Sequence, residues 1–145
     1  MNINEIIESW NSDANIDDYH LDNESISTPK LHAKYLGLLL EAKKKLVVFN
    51  EKYNRLKQLK TKYYYGKLTK EELEENGWEP YQFIKPIKTE LDNILAGDTE
   101  LSTINTKIDL VKIDINTIES IIQQINQRTY HIKNAIEYKK FIAGS

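Results

Sequence analysis

The residues that most constrain this chain lie in its last third, where Leu101, Ile104, Ile108, Val111, Ile115, Ile118, Ile122, Ile125, Thr129, Ile132 and Ile136 alternate at threes and fours without a break. That period specifies an α-helix with one apolar seam of about five heptads. At about 1.5 Å per residue such a helix is longer than about 50 Å, and Asp98 is placed to cap its start. Leu110, Ile113, Ile121, Tyr130 and Phe141 fall outside the seam and give the helix a second apolar face.

A second long helix is spelled by Leu31, Tyr35, Leu38, Ala42, Phe49, Tyr53, Leu56 and Tyr63, with Lys45 and Lys60 interrupting the stripe. Ser27-Thr28-Pro29 reads as its start, because a hydroxyl can accept from unpaired N–H groups and proline is tolerated in the first turn. Gly66 reads as its stop. Gly37, inside it, marks either a close helix contact or a tolerated cost of about 1 kcal/mol.

Shorter elements complete the expectation. Residues 2–10 carry Ile3, Ile6, Ile7 and Trp10 at helical spacing, and residues 11–25 read as an acidic loop. Thr69-Lys70-Glu71-Glu72 has the spacing of a capping box, Asn76-Gly77 and Glu79-Pro80 mark a turn, and Trp78, Tyr81, Phe83 and Ile84 tack the connector onto the core. A short helix over residues 87–95 follows, stopped by Gly97. The whole predicts an all-α fold: a long helical hairpin, helices about 28–65 and 98–141, with short N-terminal and connector helices. With 145 residues and only five glycines and three prolines, it is read as one domain in four segments: an acidic 1–27, a basic helix 28–66, a connector 67–97 and an assembly helix 98–145.

The charge is segregated. Before Lys30 the charged residues are Glu5, Glu8, Asp13, Asp17, Asp18, Asp22 and Glu24, all acidic. Residues 43–70 hold ten basic side chains, Lys43, Lys44, Lys45, Lys52, Arg55, Lys57, Lys60, Lys62, Lys67 and Lys70, against Glu51 alone, a formal +9 within a chain whose net charge is −2.

Catalytic chemistry finds no residues to carry it. There is no cysteine for thiolate catalysis, disulfides or thiolate metal sites. His20, His32 and His131 are scattered, and no phosphate-binding glycine loop occurs. Carboxylate pairs such as Asp17-Asp18 sit in hydrophilic runs with nothing to raise a pKa. No apolar run reaches the length of a membrane span, no signal peptide is visible, and the expectation is a cytoplasmic binding protein without metal or cofactor.

One segment interleaves cations with aromatic rings: Lys57-Gln58-Leu59-Lys60-Thr61-Lys62-Tyr63-Tyr64-Tyr65-Gly66-Lys67. On a helix Lys57, Lys60 and Tyr64 share a face, so two ammonium groups and a ring could meet phosphates and a base of a single strand. The bland alternative is a solvated lysine face with tyrosines used for packing. The apolar seam likewise has two assignments, a contact between copies or an intramolecular hairpin against residues 31–63, and the second apolar face favours self-association.

Lys34-Tyr35-Leu36, Lys43-Lys44 and Tyr63-Tyr64-x-Gly66, then Ile87-Lys88-Thr89, then Arg128-x-Tyr130-x-Ile132-Lys133 and Lys139-x-Phe141-x-Ala143-Gly144 together resemble the UvsY family of phage recombination mediators. The resemblance implies hexameric or heptameric rings assembled through the C-terminal helix. It also implies single-stranded DNA binding, and loading of a RecA-like recombinase of the UvsX type onto strands covered by single-strand-binding protein, in the cytoplasm of the bacterial host. The family's Lys-x-Arg signature falls on Gln58-Leu59-Lys60, so Lys60 keeps the charge and Gln58 departs from the pattern. The candidate DNA-binding residues are therefore Lys57, Lys60, Lys62, Tyr64 and Lys67 with Lys43 and Lys44. The candidate assembly residues are Ile108, Val111, Ile115, Ile118, Ile122, Ile125 and Ile132. A helical scaffold or adaptor with no nucleic-acid role is the alternative.

Overall fold

A computed structural model describes residues 1–144; Ser145, the last residue of the segment read as an assembly helix, lies outside them. Among the described residues six helices run in chain order: α1 (Ile3–Asp13), α2 (Leu21–Ile26), α3 (Thr28–Tyr64), α4 (Lys70–Asn76), α5 (Lys88–Ala96) and α6 (Thr99–Gly144). The described residues contain no strand. The two long helices, 37 and 46 residues, are about 55 Å and about 69 Å in length.

Local chemistry explains the boundaries. Asn2 caps α1 by accepting from the Glu5 N–H, and Thr69 and Glu72 form the reciprocal capping box expected for α4. Asp98 Oδ1 accepts from the Leu101 N–H at 3.0 Å and opens α6. Among the described residues Gly66 and Gly77, at φ 68° and 69°, are the positive-φ positions. Each closes its helix the same way: Lys67 N–H donates to the Lys62 carbonyl and Gly66 N–H to Tyr63, and Trp78 N–H donates to Leu73 and Gly77 N–H to Glu74.

Two local expectations are corrected. The acidic stretch 11–25 is not all loop, since α2 occupies its end, buries Leu21 and places Glu24 against a buried arginine. Ser27 does not cap α3 through its side chain; the Ser27 and Thr28 hydroxyls both donate backwards to the Glu24 carbonyl, so α3 follows α2 almost without a gap.

The described residues pack as two units, and α3 and α6 contribute to both. The first comprises Met1–Lys44 and residues 112–144. Its buried side chains are Ile6, Leu21, Tyr35, Leu39, Ile115, Ile118, Ile121, Ile125 and Ile132. Tyr35 is fully buried, meets Trp10 edge to face at 5.6 Å and donates to Asp13 at 2.9 Å. Lys34 Nζ lies 2.5 Å from the same carboxylate. Burial raises the Asp13 pKa, but the bonds from Lys34 and Tyr35 outweigh it and hold the carboxyl below its ordinary 3.8. Tyr35, desolvated and facing that carboxylate, is pushed up to about 12. Arg128 is buried, pairs with Glu24 and reaches the Asp13 carbonyl, while Lys139 pairs with Asp18. Part of the acidic N-terminal charge therefore ties α1 and α2 to α3 and α6.

The second unit, Lys45–Val111, is built around Leu91, Leu95 and Leu101, with Tyr53, Leu56, Tyr64 and Tyr65 packed against them. Ile108 and Val111 are buried in the same unit.

The seam of α6 is thus filled by the chain itself. Ile108, Val111, Ile115, Ile118, Ile125 and Ile132 are each less than a tenth exposed, and Ile122 is half-buried. Apart from Ile122, these candidate assembly residues have little surface left within the chain to bury against another copy. On the second face Leu110, Ile113, Tyr130 and Phe141 are exposed, but Ile121 is buried.

Candidate nucleic-acid interface

An α-helix advances about 100° per residue, so the basic residues of α3 cannot all point one way. Taking Lys60 as reference, Phe49, Tyr53, Leu56 and Tyr64 fall within about 40° of it, on the face packed in the second unit. Arg55, Gln58 and Lys62 fall on the opposite side, within about 60° of one another. The rotation that buries the apolar stripe therefore also carries Lys60 inward.

Lys60 is 6% exposed and its Nζ lies 3.0 Å from Asp98 Oδ2 and 3.4 Å from Glu100 Oε1. The Trp78 ring covers the ammonium at 4.2 Å, and the Trp78 indole N–H donates to Glu100 at 3.0 Å. Tyr64 is half-buried and donates to Asp98 Oδ2 at 2.8 Å. Burial raises the Asp98 pKa, yet the Leu101 N–H, the Tyr64 hydroxyl and Lys60 outweigh that cost and keep the carboxyl below 3.8. Burial, then the bond to Asp98, push the Tyr64 hydroxyl above its ordinary 10.

The structure thus places two of the sequence candidates against the chain's own core. Lys60 and Tyr64 hold the end of α3 to the start of α6, and neither presents its polar group to solvent. Removing Lys60 from these partners would leave the buried Asp98 carboxylate without its counter-charge, which is strongly destabilising.

Lys57, Lys62 and Lys67 are exposed in the second unit, as are Lys43 and Lys44 in the first. Lys57 points about 140° around the helix from Lys62, so these two do not form one patch. A shallow groove of about 280 Å³ is lined by Arg55, Gln58, Leu59 and Lys62. Arg55 pairs with Glu51 at 2.6 Å, but both side chains are mostly exposed, and such a pair yields readily to a phosphate. Arg55 was absent from the sequence candidates. The signal that finds it is its seven-residue separation from Lys62, two turns on one face, flanking the Gln58 position where the family signature loses its charge.

The rings form a continuous chain: Tyr63 meets Tyr64 at 5.1 Å, Trp78 at 5.3 Å and Tyr81 at 5.8 Å, and Tyr81 meets Tyr64 at 5.0 Å and Phe83 at 5.4 Å. The Tyr63 hydroxyl donates to the Glu79 carbonyl at 2.6 Å and fastens the connector to α3. Among the described residues no three His, Asp or Glu side chains gather to hold a metal ion, and no helix is long and apolar enough to cross a membrane.

A family model described as "Recombination, repair and ssDNA binding protein UvsY" matches residues 9–145. Crystal structures of the bacteriophage T4 recombination mediator protein UvsY are similar in fold. One lattice form gives a TM-score of 0.84 at 19% identity, covering 99% of this chain and 98% of that one. A second gives 0.84 at 18%, covering 97% and 99%, and a third gives 0.82 at 18%, covering 94% and 98%. No curated protein matches the sequence.

Proposed function

The chain belongs to the UvsY family, and on that premise we propose that it binds single-stranded DNA through the outward face of α3 centred on Arg55 and Lys62. Lys57, Lys67, Lys43 and Lys44 supply further positive charge. The observation that carries the reading is the sorting of cations on α3, Lys60 turned inward into a buried ion pair and Arg55 and Lys62 turned outward beside a groove. Phosphate contacts of this kind are indifferent to sequence and weaken as salt rises, because each neutralised phosphate releases a counterion.

In this reading the protein acts in the cytoplasm of a phage-infected bacterium. It loads a RecA-like recombinase of the UvsX type onto strands already covered by single-strand-binding protein. It contributes binding energy and strand geometry to nucleation and performs no chemistry of its own. A ring of six or seven copies repeats the weak basic face and gains by avidity. Support for assembly comes from exposed apolar side chains outside the filled seam, Ile113, Tyr130 and Tyr138 on α6 and Leu36 and Leu40 on α3.

The test is the double variant Arg55→Ala with Lys62→Ala, titrated against a labelled oligonucleotide by fluorescence anisotropy. Binding weakens, and the slope of log affinity against log salt falls by about 1.4, two phosphates at about 0.7 each. Unchanged affinity in a variant of native helicity would remove this face from the DNA path.

A further inference from the structure

The connector holds side chains that the basic face of α3 leaves unexplained. Between Pro80 and α5 the backbone is non-helical, and here Phe83 is 77% exposed and Ile84 93% exposed. Large apolar side chains so exposed at adjacent positions forgo the free energy that burial would return. Phe83 is nonetheless not loose: its ring lies 5.4 Å from Tyr81, which is itself wedged against Tyr63 and Tyr64. One face of the aromatic chain is thereby carried from the core to the surface.

Cations lie on the same segment and on the neighbouring end of α3. The Lys85 side chain passes 3.8 Å from the position a β-carbon on Gly66 would take, which brings it beside the segment that carries Lys67. Lys67 stands 5.6 Å over the Tyr65 ring. Lys67, Lys85 and Lys88 are all exposed, and no acidic residue lies between Pro80 and Glu90. The exposed carboxylates of α4, Glu71, Glu74 and Glu75, repel a strand laid over them. A strand that reaches the connector therefore meets Lys67 and Lys85 rather than α4.

We propose that the connector is a base-stacking subsite for single-stranded nucleic acid, with the Phe83 ring taking one base and Lys85 and Lys67 taking the phosphates that flank it. This rests on the reading of the protein as a single-strand binder and adds what the face of α3 lacks. Arg55 and Lys62 hold only the backbone and cannot tell a paired strand from an unpaired one, whereas a ring that must lie on a base face admits only an unstacked base. The aromatic chain from Tyr63 through Tyr81 fixes the ring in advance, so little ordering cost is met on binding.

The experiment compares Phe83→Ala, Phe83→Trp and Lys85→Ala with the wild-type protein on two labelled oligomers of equal length, oligothymidylate and its abasic counterpart. Phe83→Ala is expected to weaken binding to oligothymidylate by about 5- to 150-fold, the span of one lost base stack, and to leave abasic binding and the salt slope unchanged. Phe83→Trp retains or improves binding, and Lys85→Ala lowers the salt slope on both oligomers by about 0.7. Equal losses on both oligomers for Phe83→Ala would make the ring structural and overturn the proposal, as would wild-type affinity for oligothymidylate. Failure of the wild-type protein to bind either oligomer would instead overturn the single-strand reading on which the subsite rests.

Discussion

Lys60 shows how burial changes the meaning of a charge. The same ammonium that reads in the sequence as a phosphate contact lies between Asp98, Glu100 and the Trp78 ring. Replacing Lys60 with Met is expected to destabilise the protein by about 3–5 kcal/mol, because the Asp98 carboxylate stays buried without its partner. Urea unfolding followed by circular dichroism measures this, and a loss below about 1 kcal/mol would contradict the buried pair. The pH dependence follows from the same group. The folded Asp98 pKa is depressed below 3.8, so its stabilisation is present above that unfolded value and is lost as pH falls through the folded one. Asp13 and Asp17 are depressed too and act with the same sign. Wild-type stability therefore declines on the acid side of about pH 4, and Asp98→Asn flattens part of that decline.

Single elements were legible where local chemistry decides them. The capping box at Thr69, the Asp98 cap, and the left-handed glycines at 66 and 77 each depend on a few neighbouring residues, and each stands where the sequence places it. What the sequence left open was rotational. The 3-4 repeat in α6 specifies a helix and its apolar stripe but not whose surface fills it, and most of that stripe is buried within the chain. The cations of α3 were legible as a segment, and which of them point outward was not, because the apolar stripe carries Lys60 inward to meet a carboxylate 38 residues away in sequence. Gly37 is also settled by placement: a β-carbon there meets nothing within 4 Å. Gly37→Ala is accordingly expected to stabilise the chain by about 1 kcal/mol, as helix propensity and a less flexible unfolded state dictate. A thermal melt checks this, and a lowered midpoint would mean that a close neighbour needs the bare backbone there.

For the molecule as a whole, the separation of roles is chemical. Charge pairing and most of the α6 seam serve the fold of the chain, and three exposed surfaces remain: the outward cations of α3, the connector, and Leu110, Ile113 and Tyr130 of α6. The family match ties the chain to recombination and single-stranded DNA, and the fold matches that of the T4 mediator along nearly its full length. On this chain the exposed cations are proposed to serve single strands. Binding of the wild-type protein to single- and double-stranded oligonucleotides across a salt series, with light scattering on the same samples, tests it most directly. A particle several protomers in mass that prefers single strands and loses affinity steeply as salt rises is the predicted result. A monomer or dimer indifferent to DNA at low salt would contradict it and leave a helical adaptor in its place.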